Sequence, residues 1–302
     1  MTPSRTAVRT NRARLALRKV AWGSGQVGFA TVAAGTARLA WLRARRPNTV
    51  RVTSHRHGLA VTFRYPSQLI PTLVVFGDLL EPELGLLPGR LGQGDVAVDV
   101  GASIGTWSMV AARTGAAVHA CEPDPDNLAV LGHNLAANGL GSAVTVHPVA
   151  VGRHAGQVTV QRHSRRYLNQ VVAVGEGPSS QERPTPMVTL LSLVDQLGVR
   201  EIAVLKVNTA GHEADVLAGA LPLLIKGRVR VALFLDGTRV REALEDAFTR
   251  GALAAYALAI FDGDQARLVD VPTIAALEGP RPSPMNHYVI LHRRDSRPLA
   301  DN

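Results

Sequence analysis

From residue 96 onward the chain alternates apolar strands with helical segments. "VAVDV" (96–100), "AAVHACE" (116–122), "AVTVHPVAV" (143–151), "IAVLKVN" (202–208), "RVRVALFL" (228–235) and "AAYALAIF" (254–261) read as strands, and "GTWSMVAART", "PDNLAVLGHNLAAN", "GHEADVLAGALPLL" and "RVREALEDAFTR" read as helices between them. Strands that lack polar alternation are buried on both faces. A strand–helix–strand rhythm also supplies the crossovers that parallel pairing needs. The pattern predicts an α/β fold, an open doubly wound, mostly parallel sheet with helices on both faces. Further strands are expected at "LAVTFRY" (59–65), "QVTVQ" (157–161) and "HYVILHR" (287–293), and a polar, Pro-rich connector at "EGPSSQERPTP" (176–186). Ligands of such sheets sit at the carboxyl ends of the strands.

The first core strand ends in "DVGASIG" (99–105). This is neither G-x-G-x-x-G nor a phosphate loop ending in G-K-S or G-K-T. Gly101 and Gly105 provide a turn and a close helix–strand approach, and Asp99 places a carboxylate where a pyrophosphate would be repelled and an ammonium or sulfonium accepted. The second strand ends at Glu122, and a carboxylate at that station accepts ribose hydroxyls. A cationic group joined to a free ribose describes S-adenosyl-L-methionine.

With these pieces in place, the chain resembles the FkbM-type class I methyltransferases, which are Rossmann-like. The resemblance is carried by "EPELGLLPGRLGQGDVAVDVGASIGTWS", "CEPDPDNLAVLGHNLAANGL", "VHPVAVGRHAGQV", "TLLSLVDQLGVREIAVLKVNTAGHEADVLAGA" and "NHYVIL". It implies a seven-stranded sheet whose last strand is antiparallel, S-adenosyl-L-methionine as methyl donor, and methylation of a hydroxyl on a sugar, polyketide or other small metabolite. By position, Asp99, Gly101, Ala102, Ser103 and Gly105 cradle the methionine end. Glu122 holds the ribose, Ala150 and Val151 flank the adenine, and Asn208 joins the cofactor-binding set.

The chain departs from this family at its fourth strand. The usual "KIDVEG" reads Lys206, Val207, Asn208, Thr209, Ala210, Gly211, and the usual "TLD" reads Thr189, Leu190, Leu191. Asn208 forms hydrogen bonds but cannot take a proton. Lys206, Asn208 and His212 are the candidate catalytic residues, His212 being the nearest base. A solvated helix start accounts for Glu213, and Asp236, which ends the fifth strand, either serves a turn or faces the acceptor. A S-adenosylmethionine-binding module with a scaffold or regulatory role is the alternative to an enzyme. Arg162, Arg165 and Arg166 would suit an anionic small-molecule acceptor.

The formal charge of +9 is concentrated at the start: 13 of the 33 Arg and Lys precede Asp78, and none of the 24 acidic residues does. The expected organisation is a basic arm (1–50) without core periodicity, a lead-in strand and helical segment (51–94), the methyltransferase domain (95–295) and a tail (296–302). The arm has no secretory cleavage pattern and is too glycine-rich to span a bilayer. It would suit peripheral contact with an anionic membrane, an organelle transit segment or a solvated tail, and aromatic residues are too sparse for nucleic acid to be the expected partner. Cys121 is the only cysteine, so no internal disulfide forms. The expected location is the cytoplasm.

Overall fold

The computed structural model describes residues 5–65, 70–161, 170–173, 184–262, 267–278, 285 and 287–295. Arg162, Arg165 and Arg166, most of the polar connector and the C-terminal tail lie outside these residues. The chain divides into two compact units, residues 1–82 with 280–286, and residues 83–279 with 287–302.

In the first unit, helices α1 (Arg5–Val27) and α2 (Phe29–Arg45) break at Gly28, whose φ of 84° suits glycine. They precede the antiparallel pair β1 (Thr49–Ser54) and β2 (Leu59–Arg64) and a π-helical turn, Ile70–Val75. The expectation that residues 1–50 lack a core face is corrected here. Val32, Gly35 and Leu42 of α2 are buried, with Val75, Phe76 and Leu80 in the same cluster as Val32. The reason is steric: a Cβ at Gly35 would lie 2.1 Å from the Val75 carbonyl, so glycine alone lets the helix touch that backbone. Asp78, the first acid of the chain, accepts from the Ser54 hydroxyl and from the backbone N–H groups of Arg56 and Leu79.

The second unit contains β3 (Val96–Val100), α3 (Thr106–Arg113), β4 (Ala117–Cys121), α4 (Pro125–Ala137), β5 (Val144–His147), β6 (Ala150–Val151), β7 (Gly156–Gln161), β8 (Gln170–Ala173), β9 (Pro184–Val188) and α5 (Leu190–Gln196). It continues with β10 (Ile202–Val207), α6 (Glu213–Ile225), β11 (Val229–Leu235), α7 (Thr238–Thr249), β12 (Tyr256–Asp262), β13 (Arg267–Asp270) and β14 (Tyr288–Arg293). The main sheet has the order β13-β12-β14-β11-β10-β3-β4-β5. The run from β11 to β5 is parallel, and β14 is antiparallel to both β11 and β12.

Seven strands with an antiparallel last one are therefore present, and β13 adds an eighth by pairing antiparallel to β12. Four residues with exposed ends carry no apolar run to announce a strand. A second correction concerns "AVTVHPVAV". Pro148 lacks an amide donor and interrupts the ladder, so only β5 stays in the main sheet. The segment β6 pairs instead with β9 in a separate sheet of order β6-β9-β7-β8. "QVTVQ" belongs to this second sheet as well.

All six residues of β10 are buried, and Leu205, Val207, Leu217, Leu224, Phe234 and Leu291 share one apolar cluster. Helix α4 starts on Pro125 with Asp124 as its cap, accepting from Asp126 N at 2.9 Å. Beside the amino ends of β3 and β10, Arg230 pairs with Asp95 and Glu201, and Arg293 with Glu201. These pairs are partly exposed and worth little each. A buried polar contact counts for more: the Tyr256 hydroxyl, at the start of β12, donates to the Val229 carbonyl at 2.6 Å, and burial pushes its phenol up to about 12. Replacing Tyr256 by Phe is expected to lower unfolding free energy by about 1–2 kcal/mol, measured by urea denaturation, with no change in the secondary-structure spectrum.

Candidate functional site

The carboxyl ends of β3 and β10 meet at one buried ion pair. Asp99 and Lys206 are direct neighbours in the parallel register. Lys206 Nζ lies 2.8 Å from Asp99 Oδ1 and donates to the Gly101 carbonyl at 2.9 Å, while the Ser108 hydroxyl donates to Asp99 Oδ2 at 2.7 Å. Asp99 is fully buried and Lys206 is 5% exposed. Each charge is thus matched, as burial demands. Asp99, expected to face the ligand, instead spends both oxygens inside the protein. Lys206, expected as a catalytic candidate, ties the glycine loop to β10.

The loop's amide groups also turn inward. Gly101 N and Ala102 N donate to the Cys121 carbonyl, and Gly105 N donates to the Ala102 carbonyl. Gly101 has φ +77°, and a Cβ there would lie 2.0 Å from the Asn208 carbonyl; Gly105 has φ +87°, and its Cβ would lie 2.2 Å from Leu131 Cδ1. Close protein packing by itself requires glycine at both positions. Ala102 and Gly105 are buried, whereas Gly101 and Ser103 stay partly exposed. Ser103 takes φ 52°, and its N–H donates to Glu122 Oε2 at 2.8 Å.

Glu122 follows β4 and is 5% exposed. Its Oε1 accepts from Asp124 N at 2.9 Å and Asn127 Nδ2 at 3.2 Å. With Ser103 N, these bonds fill three of the roughly four acceptor positions of a carboxylate, leaving Oε2 room for one hydroxyl. Burial raises the Glu122 carboxyl above the usual glutamate range, against hydrogen bonds from Asp124, Asn127 and Ser103 that favour its ionised form.

The "KVNTAG" loop is held from below by Glu213. Its carboxylate accepts from Thr209 N at 2.7 Å and from Gly211 N at 3.0 and 3.2 Å. The expectation of a solvated Glu213 is therefore corrected: it is 6% exposed and organises a loop in which Ala210 has φ 56°. Asn208 N donates to the Val100 carbonyl at 3.0 Å, and its side-chain amide lies 3.1 Å from the Tyr288 hydroxyl. Tyr288 opens the apolar run "YVIL", whose pattern marks a buried strand rather than a site. Because β14 runs antiparallel, its first residue arrives at the carboxyl edge of the parallel strands.

His212 precedes α6, with Nδ1 3.9 Å from Asp215 Oδ2. Arg153 and Arg239 approach the same carboxylate at 3.6 and 3.5 Å. Asp236 is committed to Arg241, which donates to both its oxygens at 2.7 and 2.6 Å. Ala150 and Val151, expected beside an adenine, are buried in β6, where they pair with Met187 and Val188.

The rim left at the two strand ends consists of Gly101, Ser103, Asn208, Thr209, Ala210 and His212, all partly exposed. Two buried polar atoms nearby in the chain have no hydrogen-bond partner, Trp107 Nε1 at the start of α3 and Thr209 Oγ1 in the "KVNTAG" loop. Thr209 lies against the glycine loop, since a Cβ on Gly101 would be 3.3 Å from its methyl. Buried polar atoms are normally hydrogen-bonded, so a water or a polar ligand would complete these two. Together with the spare position on Glu122, they fit a nucleoside carrying an amino-acid tail.

A parallel sheet with an inserted antiparallel strand, a D-x-G-x-x-x-G turn after its first strand and an acid after its second define a class I methyltransferase. The chain belongs to the FkbM methyltransferase family: the methyltransferase FkbM domain matches residues 99–249, half of the chain. Its methyl donor is S-adenosyl-L-methionine. Among solved structures, it is similar to precorrin-6y C5,15-methyltransferase from Geobacter metallireducens, at 13% identity and a TM-score of 0.37, over 70% of this chain and 86% of that one. SMU.1697c from Streptococcus mutans, in complex with SAH, is 8% identical with a TM-score of 0.41, over 71% of this chain and 99% of that one. A rRNA methylase from Streptococcus thermophilus is 12% identical with a TM-score of 0.40, over 70% and 93% of the two chains. Among curated proteins there is no match.

Only the ionised Glu122 carboxylate offers a full set of acceptors to a ribose hydroxyl, so cofactor affinity is expected to fall as acid protonates it. Because burial raises its pKa, the loss should begin at higher pH than for an ordinary glutamate. Calorimetric titration with S-adenosylhomocysteine between about pH 7 and 5 checks this. A Glu122→Gln variant should bind more weakly and without that pH dependence.

Proposed function

We propose that this protein transfers the methyl group of S-adenosylmethionine to a hydroxyl oxygen on a small metabolite such as a sugar or polyketide. The observation that carries the reading is the composition of the acceptor-side loop. Asn208 stands beside the Tyr288 hydroxyl where the family has an acid, Ala210 replaces the second acid, and Glu213 is consumed in holding the loop. The proton of the acceptor hydroxyl must then leave by another route.

His212 provides one. It is a partly exposed imidazole next to this loop, oriented towards Asp215, and an imidazole accepts a proton as the hydroxyl attacks. Transfer breaks the sulfonium–methyl bond and forms the oxygen–methyl bond, releasing S-adenosylhomocysteine; His212 takes the proton. Much of the acceleration comes from alignment of acceptor, methyl and sulfur. The absence of carboxylates at positions 208 and 210 suits an acceptor that carries negative charge. A small-molecule acceptor and a cytoplasmic site of action are part of this reading.

The test is incubation of the purified protein with S-adenosylmethionine and a panel of sugars, polyketide alcohols and hydroxy acids, following S-adenosylhomocysteine and methylated product together. Transfer is expected on a member of the panel, and His212→Ala should lower kcat by about 10²–10⁴-fold while leaving cofactor affinity unchanged. Cofactor binding without transfer to any acceptor would favour a binding module with a scaffold or regulatory role.

A further inference from the structure

The chain buries its large apolar side chains efficiently, with a concentrated exception. Six large hydrophobic side chains are exposed among the described residues, and four of them, Leu17, Val20, Phe29 and Trp41, lie on α1 and α2. Leu17, Phe29 and Trp41 are 69%, 79% and 56% exposed. The inward faces of these helices are already committed. A Cβ at Gly23 would lie 2.2 Å from the Phe76 ring and one at Gly35 would meet the Val75 carbonyl, so the two helices cannot rotate to hide the outer residues. Trp41 lies roughly half a turn away from the buried Val32–Gly35–Leu42 face.

The same two helices carry the charge. Arg14, Arg18, Arg38, Arg43, Arg45 and Arg46 are exposed, and the first acidic residue of the chain comes only at Asp78. No described helix is long and apolar enough to cross a membrane. A helical surface with protruding aliphatic and aromatic side chains, many arginines and no acids matches an element that lies in the plane of a bilayer surface.

We propose that α1 and α2 dock on the surface of an anionic phospholipid bilayer. Leu17, Phe29 and Trp41 enter the boundary between headgroups and acyl chains, and the arginines hold lipid phosphates. Charge complementarity selects this occupant. A second copy would bring two arginine-rich, acid-free surfaces together. Single-stranded nucleic acid stacks on planar rings, which leaves Leu17 and Val20 without a role, whereas acyl chains cover all four side chains. The inference is independent of the methyl-transfer reading, because lipid binding is measured without cofactor or acceptor.

The experiment is co-sedimentation of the full-length protein with vesicles of phosphatidylcholine alone or with about 30 mol% phosphatidylglycerol, at low and high salt. Wild type should pellet with the anionic vesicles and far less with neutral ones. Exposed basic residues near such a surface each contribute about fivefold, so Arg43→Glu with Arg45→Glu should weaken binding by more than about tenfold. Phe29→Ser with Trp41→Ser should weaken it comparably. Both pairs replace exposed side chains, and unchanged thermal melting confirms that they fold. On anionic vesicles the Trp41 fluorescence, taken as the difference from a Trp41→Phe variant, should shift to shorter wavelength. Equal pelleting with neutral and anionic vesicles, or unchanged pelleting of the Phe29/Trp41 variant, would overturn the proposal. So would tighter binding to a single-stranded RNA oligonucleotide than to vesicles at the same salt, or a dimer that the Phe29→Ser/Trp41→Ser change dissolves while vesicles are ignored.

Discussion

The buried pair between Asp99 and Lys206 anchors one wall at the carboxyl edge of the sheet. It joins the ends of two adjacent parallel strands, and through the Gly101 carbonyl it sets the shape of the turn that leaves β3. A lysine in this position is a compact ammonium with three donors. One goes to the carboxylate and one to the turn. Arginine, used at nearly every other basic position, is a planar fork and would not fit this arrangement. The wall of the site is therefore stiffened by charges hidden from solvent.

Rigidity on one side contrasts with substitution on the other. Glu213 binds two amides of the "KVNTAG" loop, so the loop keeps its course although the family's two acids are missing from it. The amide of Asn208 and the hydroxyl of Tyr288 now occupy the edge where a carboxylate would have stood. Neutral donors and acceptors tolerate an anionic acceptor that a pair of carboxylates would repel. Their cost is weaker, non-charge-assisted hydrogen bonding to the cofactor or acceptor. The orphaned Thr209 hydroxyl lies in the same loop, a buried polar atom where the family's motif has an apolar residue.

Much of this was legible in the sequence because buried parallel strands announce themselves as unbroken apolar runs and because the glycine turn and Glu122 sit at fixed places on consecutive strands. The role of Lys206 was not. Its partner is 107 residues earlier, and only the strand order brings β10 beside β3. Tyr288 was hidden for a related reason, since an inserted antiparallel strand delivers its first residue, not its last, to the site. The run over 143–151 divides at Pro148, which its apolar pattern does not announce, and the contact surface of α2 is built on Gly35, which no hydrophobicity pattern reveals.

The central claim is that the Asp99–Lys206 pair shapes the cofactor site rather than contacting the reacting groups. The measurement is the affinity for S-adenosylhomocysteine of the double variant Asp99→Leu with Lys206→Met, by calorimetry, alongside its urea unfolding. Removing both charges leaves no unpaired ion in the core, so the variant should fold, at a cost of about 1–3 kcal/mol for the buried Ser108 hydroxyl left without its acceptor. The Gly101 carbonyl loses its donor, and affinity should drop by more than about tenfold. A folded double variant that binds S-adenosylhomocysteine as tightly as the wild type would contradict the account.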